Sequence, residues 1–336
     1  MKELIKRLTD VRSPSGREDN ITEAIKKELE GNVDEIRTDN LGNLIAVKKG
    51  SSGKKLLLDA HMDEIGFVVS HIDDNGFLRV ETVGGVSPYM MLGTRIVFDG
   101  GVAGVAGMEA ESMKDTTENI KNLDLDVLFV DIGARNKEEA EALVSIGTFG
   151  TYEPGFVDAG NRLISKSMDD RIGCAILIQV ARELERPEDD VYFVFSTQEE
   201  VGLVGASVAA FDIMPDLAIA VDVTAGPDTP KGSKRMKFKL GKGPTIKIKD
   251  RASISSSFFV DRMTKVAKDH SIPFQYEVLL YGGTNAMGYQ LTGRGIRAGT
   301  VSIPTRYVHS PHEMVDLDDV LGAVKMLKAL AEEGVG

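Results

Sequence analysis

The sequence predicts an α/β protein in which a single alternating domain is interrupted by a smaller, β-rich insert, and three observations predict it. Apolar residues recur at helical and then extended spacing near the start of the chain, and the same alternation resumes after Leu163. From Gly66 to about Gly160 the apolar runs shorten and are broken by glycine and aspartate, the pattern of a small barrel or sandwich. The 336 residues are 42% hydrophobic and 27% charged, enough apolar material for one large core or two medium ones. Neither flank alone supplies a whole sheet. The middle is therefore expected to be inserted: residues 1–66 and 161–336 form one domain, and residues 67–160 form the insert.

The elements follow in order. Leu4, Ile5 and Leu8 share one face of a helix over Glu3–Leu8, which Pro14 and Gly16 prevent from continuing. A second helix is expected over Glu18–Leu29, then strands at Leu44–Val47 and Lys55–Asp59 separated by the Ser51-Ser52-Gly53 turn. Within the insert, Phe67–Val69, Phe77–Val80, Thr94–Phe98 and Leu125–Val130 read as short strands. Beyond it come a helix over Ile172–Leu184, a strand over Val191–Phe195, a helix over Val201–Phe211 and a fully buried strand over Leu217–Val221. A helix over Ser255–Asp269, strands around Gln275–Leu279 and Gly299–Ile303, and a helix over Leu317–Glu332 close the chain.

Composition excludes several classes of function. Lys and Arg total 40 against 52 Asp and Glu, a formal charge of −12, with a sequence pI near 5.0. That balance disfavours attraction to nucleic acid or to anionic membrane, and neither is expected as a partner. Cys174 is the single cysteine, so no intrachain disulfide forms and a cytoplasmic location is the simple expectation. Met1–Leu8 carries Lys2, Glu3, Lys6 and Arg7, which is unlike a signal peptide, and no apolar stretch is long enough for a spanning helix. No phosphate-binding glycine loop with its lysine and hydroxyl is present, which argues against an ATPase.

Chemistry-bearing residues cluster directly after the apolar strand runs. His61-Met62-Asp63-Glu64 follows one, Glu199-Glu200 another and Asp222 a third, while His309 comes shortly after the run at Gly299–Ile303. In open α/β sheets ligands bind beyond the carboxyl ends of parallel strands, so these distant segments can meet in one crevice. His61 and Asp63 are two apart and leave the same face of an extended chain, which suits a metal-bound imidazole oriented by a carboxylate. A strand-terminal turn with His61 bonded to backbone is the competing role, and Glu64 reads as a solvated or supporting group. Asp169 and Asp170 precede an apolar helix. One can cap it, while the other, taken as Asp169, bridges two cations that need an anion between them. Adjacent Glu199 and Glu200 point in different directions, so Glu200 is assigned to metal and Glu199 to general base, against the alternative of an acidic helix start. Asp222 either caps a turn or completes a ligand set. His309 and His312 are equivalent on spacing alone. Imidazole and carboxylate donors suit Zn²⁺, Co²⁺ or Mn²⁺, and a paired site of this kind suits hydrolysis by a shared, activated water. Cys174, inside an apolar helical run, reads as an inert core residue, and His71 and His270 have no evident partner.

Five motifs in order resemble the M42 family of metallo-aminopeptidases, which includes tetrahedral dodecameric peptidases. They are His61-Met62-Asp63-Glu64-Ile65-Gly66, Ser167-Met168-Asp169-Asp170-Arg171-Ile172-Gly173-Cys174, Gln198-Glu199-Glu200-Val201-Gly202-Leu203, the loop at Asp222, and Arg306-Tyr307-Val308-His309-Ser310-Pro311. The resemblance spans essentially the whole chain. It implies a mixed central sheet flanked by helices, with a β-rich insert that mediates dimerisation on the way to a dodecamer. It implies two divalent ions per subunit, bridged by Asp169, with His61 and Asp222 completing one site and Glu200 and His309 the other. Glu199 would be the catalytic acid and base and Asp63 the support for His61, and the match favours His309 over His312. The implied reaction removes N-terminal residues from short peptides with a free N-terminus, by attack of a metal-bridging water. A dinuclear deacylase or deacetylase acting on N-acyl groups is the alternative. A polysaccharide hydrolase is opposed by 6% aromatic content and the absence of tryptophan. Two departures stand out. Gly104–Glu111 lacks the Lys-Pro-Pro-His-like run common in the family, and Asn285 stands where many relatives have Asp after Gly-Thr.

Overall fold

A computed structural model describes residues 1–336. Four parallel strands form the centre of an 11-stranded mixed sheet: Asp190–Ser196, Lys55–His61, Leu217–Ala225 and Ala298–Arg306, in that spatial order. All but the last residue of Leu217–Ala225 are buried, because helices cover both faces of the sheet. This is why these strands read as unbroken apolar runs rather than alternating ones. Antiparallel strands extend both edges, Leu44–Lys48 on one side and Glu313–Asp316 with Arg162–Ser165 on the other.

One helix lies at the heart of the body. Met168–Glu183 is 16 residues long and 13 of them are buried, so its apolar surface runs almost all the way round. It packs on the sheet and is covered in turn by helices Lys2–Asp10, Asp19–Leu29 and Leu317–Glu333. The other face of the sheet is covered by Val204–Ile213 and Ala286–Gln290, which share a separate core with Ile45, Leu57 and Val194.

The insert is a closed barrel rather than a sandwich. Its strands close in the order Gly66–Ile72, Leu78–Val83, Leu128–Asp131, Ala103–Met108, Arg95–Phe98 and Phe149–Tyr152. Closure leaves no open sheet edge. Its core is its own, a cluster of 16 buried residues that includes Phe67, Phe98 and Tyr152. The short strand Val157–Ala159 pairs with Arg162–Ser165, so the chain has already returned to the central sheet there.

Several local expectations are corrected. The helix expected from Val201 begins at Val204, because Glu199 to Leu203 form a turn in which Leu203 has φ 60. Leu125–Val127 is a short 3₁₀ turn, and the strand starts only at Leu128. The insert also carries the helices Met113–Lys121 and Lys137–Leu143, whose first turns are capped by Ser112 and Asn136 accepting from the backbone N–H of Asp115 and Glu139. Met113–Lys121 buries no residue, so no apolar stripe announced it. No helix is long and apolar enough to cross a membrane.

Candidate metal centre

The carboxyl ends of the parallel strands carry the candidate residues to one place. Ser196 is in register with His61, so the Glu199-Glu200 turn emerges beside the end of the His61 strand. Asp222 lies on the next strand, and His309 follows the strand after that. The Met168–Glu183 helix brings Asp169 in from below; the Asp169–Asp170 peptide is cis, and Asp170 Oδ1 accepts the Gly173 N–H at 3.0 Å, the capping role expected of it. His61, Asp169, Glu199, Glu200, Asp222 and His309 all line a single cavity of about 580 Å³.

Asp169 directs one oxygen toward each histidine. Its Oδ1 is 3.1 Å from His61 Nε2, and its Oδ2 is 3.3 Å from His309 Nε2. His309 Nε2 is also 3.2 Å from Glu200 Oε1, and His61 Nε2 is 4.0 Å from Glu199 Oε2. Two three-residue sets have donor atoms all within 4.8 Å of one another: His61 with Asp169 and Glu200, and His61 with Glu199 and Asp222. His312 is exposed, and only its backbone N–H is engaged, donating to Ser310 Oγ. Of the two histidines that spacing left equivalent, His309 is the one beside the acids.

The electrostatics are those of a site short of positive charge. Burial pushes the Glu199 carboxyl well above its usual range, and the charges of Asp222, Glu200 and Asp169 push it further, against the opposing pull of His61. Burial likewise raises Glu200, and it raises Asp222 to about 7 with the help of Asp169. Burial works against a charged His309, yet hydrogen bonds and charges from Asp169 and Glu200 raise it to about 12. Four carboxylates and two imidazoles that converge this way fit divalent cations of the Zn²⁺, Co²⁺ or Mn²⁺ type.

Two further carboxylates hold the donors through their backbones. Asp63 lies beside His61 Nδ1, with its Oδ1 at 3.3 Å and its backbone carbonyl oxygen at 3.2 Å, so the carboxylate contact and the competing backbone contact are both present. It also accepts the N–H of Glu199 at 3.1 Å on Oδ1, and the N–H of Glu200 at 3.2 Å and the Ser15 hydroxyl at 2.6 Å on Oδ2. Glu313 was not singled out from the sequence. It accepts the Asp169 N–H at 3.0 Å and the His309 N–H at 2.7 Å, and burial raises it to about 8. The barrel contributes one contact: the Gly85 carbonyl oxygen is 3.0 Å from His309 Nδ1.

Some neighbours differ from expectation. Glu64 is not solvated but buried, 2.7 Å from Lys166 Nζ and 3.5 Å from Arg171 Nη2, and it also accepts the Ser13 N–H at 2.9 Å. His270 does have a partner, Glu333 Oε1 at 2.7 Å on the surface. Cys174 is a core residue as expected, its thiol directed at the His61 carbonyl. Asn285 donates to Asp59 Oδ2 at 2.7 Å and to Ser196 Oγ at 2.9 Å, and Tyr289 donates to the same Asp59 oxygen. A second carboxylate at position 285 would confront Asp59, which burial already raises to about 6.

Comparison with known proteins agrees with this arrangement. The profile of the M42 glutamyl aminopeptidase family matches residues 42–326. A lysyl aminopeptidase of Pyrococcus furiosus is 38% identical over 339 residues, covering 98% of this chain and 96% of that protein. The aminopeptidase APDkam598 of the archaeon Desulfurococcus kamchatkensis superposes with a TM-score of 0.94 at 38% identity, over 99% of this chain and 94% of that one. The TET1 peptidase of Pyrococcus horikoshii, which can assemble into a tetrahedron or a large octahedral shell, superposes with a TM-score of 0.86 at 33% identity, covering 99% of each chain. Motif order, a convergent imidazole and carboxylate site, fold and whole-length similarity agree, and the chain belongs to the M42 family of metallo-aminopeptidases.

Proposed function

We propose that this aminopeptidase releases N-terminal residues from short peptides, with Glu199 moving the protons of the reaction. The observation that carries the proposal is the convergence of four carboxylates and two imidazoles in one cavity. His61 and Asp222 on one side, Glu200 and His309 on the other, and Asp169 between them would hold two divalent cations, Zn²⁺ or Co²⁺ first and Mn²⁺ as a third candidate. When bound, such cations polarise a carbonyl and make water more acidic.

The chain's own residues supply the remainder. Asp63 orients His61 and, through two backbone N–H groups, fixes the turn that presents Glu199. Glu199 is buried and raised above an ordinary carboxylate, which makes it a stronger base. Its carboxylate takes a proton from the attacking water as that oxygen adds to the scissile carbonyl carbon. It then returns the proton to the departing nitrogen as the C–N bond breaks. The surplus of carboxylates also suits a free α-ammonium on the substrate.

Names of relatives do not decide the residue removed, since one is lysyl and the family description is glutamyl. We propose that assembly follows the TET1 relative, with the barrel of residues 67–160 pairing subunits and pairs building a dodecameric shell that admits short peptides and excludes folded chains. Exposed apolar side chains on the insert support association: Met113 is 82% exposed and Ile146 68%. The deciding experiment compares an unblocked dipeptide with its N-acetyl form, using protein loaded with metal. Turnover of the unblocked form is expected, and exclusive cleavage of the acetylated form would instead establish the deacylase alternative.

A further inference from the structure

Besides the metal donors, the cavity is lined by Ala225, Lys247, Ala252, Leu279 and Tyr281. This wall is where the side chain of a substrate's first residue can lie once its amino end and scissile carbonyl are at the donors. Lys247 is its only lysine or arginine. Taken alone, that ammonium would recruit an acidic side chain.

The surroundings of Lys247 reverse the expectation. The strands Thr245–Lys249 and Gln275–Val278 pair with Lys247 opposite Glu277, so their encounter is set by register. Lys247 Nζ is 3.2 Å from Glu277 Oε1 and 3.6 Å from Asp250 Oδ2, and all three side chains are 1% exposed or less. Neither acid is free to swing away. Glu277 accepts the hydroxyls of Thr224 at 2.8 Å and Thr245 at 2.6 Å, while Asp250 accepts the N–H groups of Ala252 at 2.8 Å and Ser253 at 2.6 Å. One cation against two fixed carboxylates leaves this end of the cavity with a net negative charge, and the carboxylates themselves do not line it.

We propose that this wall rejects acidic first residues in favour of apolar ones of the leucine or methionine class, because Glu277 and Asp250 outweigh Lys247 from within. An incoming carboxylate would lose its water and meet a lysine already paired, with two like charges behind it. Leu279, Tyr281 and the alanines offer apolar contact instead. The proposal rests on the aminopeptidase reading above.

The test uses leucyl, methionyl and glutamyl 4-nitroanilides with metal-loaded protein, together with N-acetyl-leucyl 4-nitroanilide. A kcat/KM for leucyl over glutamyl substrate of about tenfold or more is expected. Glu277→Gln, which keeps one of the two acceptor oxygens and removes a charge, should narrow that ratio by roughly fivefold. Asp250→Asn serves the same purpose should the first variant fail to fold by circular dichroism. Glutamyl turnover equal to or above leucyl would overturn the proposal and leave the aminopeptidase reading intact, as would an unchanged ratio in folded variants. Hydrolysis of the acetylated substrate alone would overturn both.

Discussion

Two buried charged clusters lie within a few residues of each other, and only one of them has the composition of the proposed metal centre. Glu64 is three residues beyond His61, and Lys166 is three residues before Asp169. Glu64, Lys166 and Arg171 are more completely buried than most of the candidate donors, and there one carboxylate meets two cations. Burial raises the Glu64 carboxyl, but Lys166 and Arg171 outweigh it and hold it below its usual range. In the donor set four carboxylates face two imidazoles, and Glu199 is driven upward instead. Buried charge by itself therefore marks structure. Buried charge that the protein leaves uncompensated marks chemistry.

The sharpest way to break this contrast is to neutralise one carboxylate in each cluster. Glu199→Gln keeps the shape and removes the proton acceptor, so kcat should fall by about 10²- to 10⁴-fold. Metal content by mass spectrometry should stay close to that of the parent and the thermal midpoint should not fall, because a buried carboxylate with raised pKa opposes folding when charged. An unchanged kcat would remove Glu199 from the mechanism. Glu64→Ala should do the opposite: it strands Lys166 and Arg171 without their counterion, at a cost of about 3–5 kcal/mol in urea unfolding. A Glu64→Ala protein as stable as the parent would show that the ion cluster is solvated after all.

The same contrast explains what could be read from the sequence. The parallel strands were legible because burial on both faces makes them continuous apolar runs, and the residues just past their ends are where a ligand crevice forms. That rule singles out His61, Glu199, Glu200 and Asp222, and the fold brings them to one cavity. Glu313 and Gly85 were not, because they act on donors through backbone groups, and a carbonyl or N–H contact leaves no spacing pattern. Asp63 was found for its contact with His61, while its hold on the Glu199 and Glu200 backbone became visible only with the turn in place. The compensation of Glu64 was equally silent, since its partners are more than 100 residues away in sequence.

Gly85 sharpens the comparison between barrel and body. A Cβ built there would stand 2.7 Å from His309 Nδ1 and 2.9 Å from its Cε1, too close for the ring to keep its place. Gly85→Ala should therefore weaken metal binding by about 10- to 100-fold in a chelator competition, the range found when an outer contact of a ligating histidine is disturbed. The barrel's separate core predicts little change in its unfolding. Unaltered affinity would mean that the barrel loop lies against His309 without positioning it.

The smallest effect is expected at the rim, where pairing is complete but water is close. Arg306, three residues before His309, donates from Nε to Asp228 Oδ1 at 2.9 Å and from Nη2 to Oδ2 at 2.8 Å. Burial draws the Asp228 carboxyl upward, but these hydrogen bonds and the Arg306 charge leave it below its usual value. A carboxylate with a lowered folded-state pKa contributes stability that is fully present above the unfolded value, about 4, and is lost as pH falls through the folded one. Solvent screening limits the contribution to about 1 kcal/mol or less. Arg306→Gln should therefore lower stability by that amount at about pH 7 and match the parent once the pH has fallen below the folded-state value of Asp228. A penalty that persists in acid would assign the loss to packing of the arginine stem against its neighbours rather than to charge.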